Sequence, residues 1–185
     1  MSLLSLPKEL QLHILGLLPT KDLLSLSETC RSLKDLARDP SLWKQLVLSY
    51  ENIKNNTQAC RELVARCSKL RELTIIHPDS VTEIINSDMI MSVVMKAKST
   101  LTTLSIGDFK LSNSSFKQIS QIDKLIHLEI NASNLSDSET NYSYLSSEGF
   151  SHLKKISKLR KLKIHNPKDS QGRALPVYLP EFAFS

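Results

Sequence analysis

The most constraining feature of the sequence is a six-residue pattern, Leu-x-x-Leu-x-Ile, that recurs along the chain. It occurs at Leu70-Leu73-Ile75 and Leu101-Leu104-Ile106, and a fainter version begins at Trp43. A step of three residues followed by a step of two predicts a helix or turn that leads into a strand. The central leucines are Leu46, Leu73, Leu104, Leu128 and Leu162. Their recurrence every 24 to 34 residues predicts a solenoid of about five strand–helix units.

The two longest matching units lie 34 residues apart, LSNSSFKQISQIDKLIHLEI (111–130) and LSSEGFSHLKKISKLRKLKI (145–164). The polar stretch SDSETNYSY (136–144) is predicted to be a surface loop. The units resemble leucine-rich repeats over residues 43–165. Residues 166–185 abandon the pattern and contain three prolines, so this C-terminal tail is either a cap on the apolar end of the solenoid or the end of a shortened array.

The N-terminal stretch LPKELQLHILGLLPTKDLLSLSETCRSL (6–33) has more leucine than so short a segment can bury within itself. Three short helices are predicted. The first runs from Pro7 to about Leu18, Thr20 caps the second, and the third carries Leu33 and Leu36. One further turn follows, begun by Asp39 and Pro40 and holding Leu42 and Trp43.

The first helix has two apolar faces. Leu10, Ile14 and Leu17 share one face, and Leu12 and Leu15 fall nearly opposite. One apolar face suffices for packing on the chain's own core, so something else must cover the second. Periodicity leaves open whether the repeats or a partner protein covers it.

This segment resembles an F-box over residues 5 to about 48. The residues that carry the resemblance are Leu6-Pro7-x-Glu9-Leu10, Ile14, Leu17-Leu18-Pro19, Asp22-Leu23, Leu26, Thr29-Cys30-Arg31, Leu36 and Asp39-Pro40-x-Leu42-Trp43. Leu33 departs from it, because many F-boxes have tryptophan there. The resemblance implies an α/β chain with a three-helix F-box at 1–48, leucine-rich repeats at 43–165 and the tail or cap at 166–185.

The resemblance also implies partners. F-boxes dock on a Skp-type adaptor, which links them to a cullin scaffold and a ubiquitin-conjugating enzyme. By position in the motif, the adaptor-binding residues are Leu6, Pro7, Leu10, Ile14, Leu15, Leu18, Pro19, Leu23, Leu26 and Cys30. The motif does not say which of them face the adaptor and which face the core.

The residues that alternate with the core positions of each predicted strand point to the open face of a solenoid. They are the candidate substrate-binding residues: Glu72, Thr74, Thr103, Ser105, His127, Glu129, Asn131, Lys161, Lys163 and His165. The face becomes basic toward its C-terminal end, which favours an acidic or phosphorylated segment of an unknown substrate protein. The alternative is that these side chains are simply solvated. His127 and His165 are expected to be near neighbours, but no third ligand is apparent and no metal site is predicted.

Charge and composition exclude several classes. The net charge is +5, and the excess lies between Lys154 and Arg173. Three cysteines without a CxxC pair favour a reducing compartment, cytoplasmic or nuclear. Residues 1–6 are too short an apolar stretch for a signal peptide or membrane span. No phosphate loop, GxSxG or HExxH motif occurs, so we expect neither an enzyme nor a cofactor.

The sequence therefore predicts the substrate-recognition subunit of a cullin-RING (SCF-type) ubiquitin ligase. One alternative is an interaction scaffold that uses the F-box without ubiquitin transfer. A second is a nucleic-acid binder that uses the basic residues 154–173. This segment lacks interleaved aromatic residues, which makes nucleic-acid binding the weaker alternative.

Overall fold

The computed structural model describes residues 3–76, 87–107, 111–131 and 147–165. It shows a mixed α/β chain in which helices precede a parallel sheet. The predicted loop at 136–144 and the tail at 166–185 lie outside the described residues. No helix within the described ranges is long and apolar enough to cross a membrane.

Three helices form the N-terminal part, and two of the predicted boundaries were wrong. The first helix begins after Pro7, as predicted, but it ends at Leu15 and not at Leu18. Gly16 follows, and the next two residues form tighter i→i−3 hydrogen bonds, because glycine favours the end of a helix over its interior. Thr20 is the first residue of the second helix, and Pro19 holds the cap position. The helices are α1 (Lys8–Leu15), α2 (Thr20–Ser27) and α3 (Arg31–Ala37).

A short 3₁₀ turn, Pro40–Leu42, connects these helices to the sheet as predicted. The Asp39 carboxylate accepts a hydrogen bond from the Ser41 amide at 3.0 Å, which caps the turn. This backbone hydrogen bond lowers the pKa of Asp39, and the Lys8 ammonium 3.6 Å away contributes further. The junction between the two parts of the chain is therefore fixed by local polar contacts.

The sheet has five parallel strands in chain order, one at each recurrence of the leucine pattern. The register aligns the central leucines with one another, so Leu46 lies beside Leu73, and Leu73 beside Leu104. The predicted strands are thus confirmed. They are β1 (Gln45–Ser49), β2 (Glu72–Ile76), β3 (Thr103–Ile106), β4 (His127–Asn131) and β5 (Lys161–His165).

Helices connect successive strands and cover one face of the sheet. The leucines and isoleucines that alternate along the strands are buried between the two layers, and Leu73, Ile75 and Leu104 are fully buried. Burying one such side chain stabilises the fold by about 1.5–3 kcal/mol, so the layers are held mainly by apolar contacts. The connecting helices are α4 (Tyr50–Asn55), α5 (Thr57–Arg66), α6 (Ser87–Val94), α7 (Asn113–Ile119) and α8 (Ser147–Leu153).

One continuous hydrophobic core joins the N-terminal helices to the sheet. Leu15 of α1, Leu23 of α2 and Trp43 belong to the same cluster as the strand leucines. The Trp43 indole Nε1–H donates a hydrogen bond of 2.6 Å to the carbonyl of Ala37 at the end of α3. Trp43 thus packs between the two parts of the chain.

Candidate docking surfaces

The α1 helix presents apolar side chains to solvent on one side and packs on the core with the other. Leu10 is 51% exposed, Ile14 40% and Leu17, in the turn after the helix, 75%. Leu15 is fully buried, and Gln11 is buried beside it. The Gln11 amide donates hydrogen bonds to the carbonyls of Leu4 and Leu6, which fixes the preceding turn against α1. We call Leu10, Ile14 and Leu17 the α1 surface.

The ten residues predicted to bind the adaptor divide into three groups by exposure. Pro7, Leu10, Ile14, Pro19 and Cys30 are exposed, whereas Leu6, Leu18 and Leu26 are half-buried. Leu15 and Leu23 are buried within this chain. These two side chains therefore do not lie on a surface that a partner can reach, and the placement of Leu15 and Leu23 on the docking surface is corrected. They hold α1 and α2 on the core.

Three exposed leucines, Leu4, Leu17 and Leu24, were left out of the predicted set. Leu17 is the most exposed large apolar residue of those the structure describes, and Leu24 on α2 is 40% exposed. The helical spacing of Leu17 from Leu10 and Ile14 was the signal for including it. Leu24 has no such signal, because it follows the buried Leu23 in an almost continuous apolar run.

The second candidate surface is the sheet face that the helices leave uncovered, which we call the open face. Parallel strands in register place its side chains in rows. Glu72, Lys161 and Lys163 are exposed, and the predicted residues of β3 and β4 are half-buried. The first row is Gln45, Glu72, Thr103, His127 and Lys161, and the second is Val47, Thr74, Ser105, Glu129 and Lys163.

The open face extends to β1, which the sequence did not predict, because Val47 is 50% exposed there. Ile76, which the strand register places on the same face at the end of β2, is 48% exposed. The register sets Ser49 beside Ile76, two positions along from the pair Val47 and Thr74. The face therefore begins with an apolar portion and ends with a basic one. The sequence reasoning missed Val47 because the first pattern, at Trp43, is the faintest.

An ionic cluster occupies the C-terminal half of the open face. The Glu129 carboxylate lies 3.7 Å from the Lys163 ammonium and 3.8 Å from Nε2 of His127. Nε2 of His127 is buried and has no hydrogen-bond partner among the described residues. Glu129 thus neutralises part of the basic character that the sequence predicted for this end, and Lys161 keeps its full charge toward solvent.

The expectation that His127 and His165 are near neighbours was wrong. His127 pairs with Lys161, and His165 pairs with Asn131. The two histidines thus lie four residues apart along neighbouring strands, a distance of about 13 Å. Among the described residues, no group of three or more His, Cys, Asp or Glu side chains is placed to hold a metal ion.

Two of the three cysteines are packing residues. Cys60 and Cys67 are buried, and their thiols lie against backbone carbonyls of neighbouring helix residues. Burial raises the pKa of both thiols, that of Cys67 to about 11. Cys30 is exposed in the stretch between α2 and α3.

Comparison with known proteins assigns the N-terminal part of the chain. Residues 3–49 match the F-box-like family, and this range contains α1, α2, α3 and Trp43. No curated protein matches the chain. The chain thus carries an F-box-like domain, and F-box domains generally bind Skp-type adaptors.

Proposed function

We propose that this chain is the substrate-recognition subunit of a cullin-RING (SCF-type) ubiquitin ligase. The observation that carries the proposal is the exposed α1 surface, because it lies inside the segment that matches the F-box-like family. The adaptor covers the α1 surface, so that Leu10, Ile14 and Leu17 become buried in the contact. The adaptor in turn binds cullin. Burial of three such side chains at a contact is worth several kcal/mol before the cost of association.

The proposed mechanism is positional. The F-box-like domain holds the adaptor while the sheet holds a substrate protein, so the substrate's lysines are kept near the charged conjugating enzyme at high effective concentration. In this proposal the chain performs no chemistry, needs no cofactor and works in the cytoplasm, the nucleus or both. The continuous core supports the mechanism, because it fixes the two surfaces relative to each other.

We also propose that residues 43–165 are leucine-rich repeats. Three features support this interpretation: strands that pair with their neighbours in sequence, one helix-containing connection per step, and a parallel sheet with one face that none of the described helices covers. Most parallel sheets are covered on both faces, whereas a stack of repeats leaves one face open for binding. The open face is accordingly the proposed substrate surface.

Co-purification with a Skp-type adaptor tests the docking part of the proposal. Wild-type chain should capture the adaptor, and Leu10→Asp combined with Leu17→Asp should reduce capture at least about tenfold, since two charges would be buried in an apolar contact. Both residues are exposed, so the variant should keep its fold, as circular dichroism and thermal melting would show.

The matched control carries the same change on the other surface. Val47→Asp combined with Ile76→Asp replaces two half-exposed apolar side chains of the open face and should leave adaptor capture unchanged. If wild-type chain captures no adaptor, or if both variants lose capture equally, the proposal is overturned. If the wild-type chain does capture the adaptor, a second experiment depletes the chain from cells. Accumulation of a bound substrate would indicate a ligase subunit, and unchanged substrate levels would indicate a scaffold without ubiquitin transfer.

A further inference from the structure

The fold gathers basic residues from the whole length of the sheet at one edge. This edge is formed by the turns that precede the strands together with the first residue of each strand, and we call it the leading edge. Its ten basic side chains are all exposed. They are Lys44, Lys69, Arg71, Lys98, Lys124, Lys154, Lys155, Lys158, Arg160 and Lys161.

The charge of the leading edge is not balanced locally. The same turns and strand starts contain two acidic residues, Glu72 and Asp123. Elsewhere, the residues that the structure describes include 11 basic and 10 acidic side chains, so they are nearly neutral. Most of the positive excess of the described residues is thus concentrated at the leading edge.

Backbone hydrogen bonds fix the alignment of these residues. The Arg71 amide donates to the Lys44 carbonyl at 2.8 Å, and the Arg160 amide donates to the Ile126 carbonyl at 2.8 Å. Position by position, the row that leads into the strands is therefore Lys44, Arg71, Thr102, Ile126 and Arg160. A second row, two residues earlier in each turn, contains Lys69, Lys124 and Lys158, each directly before a buried leucine.

None of the ten cations forms a salt bridge among the residues that the structure describes. Neighbouring strands lie about 4.8 Å apart, so adjacent cations fall within the screening length of about 8 Å at physiological salt. Like charges at this spacing oppose folding. An arrangement that tolerates this repulsion is suited to an anionic partner, whose binding removes it.

We propose that the leading edge binds an acidic segment of a partner protein. Four inter-strand steps span about 19 Å, which matches an extended segment of about six residues. Ile126, the fourth of the five positions in the first row, is 41% exposed and offers an apolar contact beside Arg160. Among the residues that the structure describes at this edge, the one Phe, Tyr or Trp side chain is that of Trp43, which is buried and therefore cannot stack on a nucleic-acid base.

The choice of a protein partner rests on the proposed function, which it deepens by naming the substrate class. It adds to the open face, where Glu129 pairs with Lys163, the adjoining edge, whose ten cations form no salt bridge with any described residue. Electrostatic contacts of this kind steer association and select partners by charge.

Fluorescence anisotropy with the full chain tests the inference. The probe is a fluorescein-labelled twelve-residue peptide of alternating Glu and Gly, compared with the same peptide carrying Gln in place of Glu. We expect the Glu peptide to bind and the Gln peptide not to bind. Raising sodium chloride from about 50 to about 300 mM should weaken binding, because salt screens exposed charges.

Two charge-matched variants locate the site. Arg71→Glu combined with Arg160→Glu should weaken peptide binding by about tenfold or more, since attraction becomes repulsion at two positions of one row. Lys34→Glu combined with Lys117→Glu changes the net charge equally on exposed helix positions and should keep binding within about twofold of wild type. Thermal melting confirms that both variants fold.

Three outcomes overturn the inference: no binding of the Glu peptide, equal binding by the two variants, or tighter binding of a single-stranded oligothymidylate of matched charge. The last would reassign the leading edge to nucleic acid. Adaptor capture is measured on the same preparations. If the wild-type chain captures the adaptor but does not bind the Glu peptide, only this inference is overturned. If the wild-type chain captures no adaptor, the proposed function is overturned.

Discussion

Ile14 and Leu15 are neighbours in sequence with opposite environments. Ile14 is 40% exposed on the α1 surface, and Leu15 is fully buried in the core. We predict that Leu15→Ala lowers the free energy of unfolding by about 2–5 kcal/mol, because it leaves a cavity. Ile14→Ala should lower it by less than about 0.5 kcal/mol, as is usual for surface positions. Urea denaturation of both variants measures the difference.

Ile14→Ala and Leu15→Ala should have the opposite order of effects on adaptor capture to the one they have on stability. Ile14→Ala should weaken capture, whereas Leu15→Ala should retain it at a temperature where the variant remains folded. Weak capture by folded Leu15→Ala together with full capture by Ile14→Ala would contradict the assignment of faces. The F-box resemblance alone included both residues, because a motif records position and does not record burial.

The cysteines differ in access and in proton affinity. Cys60 and Cys67 are buried, and burial raises the pKa of Cys67 to about 11. We predict that a disulfide reagent at pH 8 reacts with one thiol of the folded chain, Cys30, and with all three thiols in denaturant. Fast reaction of two or three thiols in the folded chain would contradict the burial of Cys60 and Cys67.

The raised pKa of Cys67 predicts that the stability of the folded chain depends on pH. Cys67 holds its proton more tightly in the folded chain than in the unfolded chain, where its pKa has the ordinary value of 9.0. Its contribution to stability is therefore complete below pH 9 and is lost as the pH rises from 9.0 to about 11. The midpoint of urea unfolding should fall over this interval, and the fall should be smaller in Cys67→Ala than in wild type.

At the scale of elements, the strands were predictable and the helix ends were less so. The pattern of Leu73 and Ile75 repeats in every unit, because these positions must fill the space between the sheet and its helices. The end of α1 depended on Gly16, which lies in an apolar run that continues to Leu18 and therefore hides the boundary. The 34-residue offset between the two longest units already sets His127 beside Lys161, as the register does, so the separation of His127 from His165 was predictable from the sequence.

The α7 helix depends on its first turn. The Ser112 hydroxyl accepts a hydrogen bond from the Ser115 amide at 3.2 Å, and the Ser115 hydroxyl accepts one from the Ser112 amide at 3.3 Å. We predict that Ser112→Ala lowers the free energy of unfolding by about 0.5–2 kcal/mol, because the cap is lost. Ser114→Ala, an exposed change in the same turn, is the control and should have little effect in thermal melts. Equal effects would show that the cap contributes nothing.

At the scale of the whole molecule, sequence reasoning located the positive charge only in part. The excess in the linear sequence lies in residues 154–173, but Lys44, Lys69 and Arg71 come from the first two units. They join Lys158 and Arg160 only because the strands are parallel and in register, which places the start of every strand at one edge. A composition count along the chain cannot detect a surface that assembles one or two residues from each unit.

The continuous core predicts that the F-box-like domain and the sheet unfold together. Trp43 is the single tryptophan, lies 6% exposed between the two parts, and reports on their junction by fluorescence. In urea, the fluorescence transition should coincide with the loss of secondary structure by circular dichroism, because both depend on one apolar cluster.

Leu23→Ala, a change within α2, should move both midpoints to lower urea by the same amount, since a cavity in a shared core destabilises the whole chain. If fluorescence changes at lower urea than circular dichroism, or if Leu23→Ala shifts only the fluorescence transition, the two parts unfold independently. The α1 surface and the open face would then lack the fixed separation on which the positional mechanism depends.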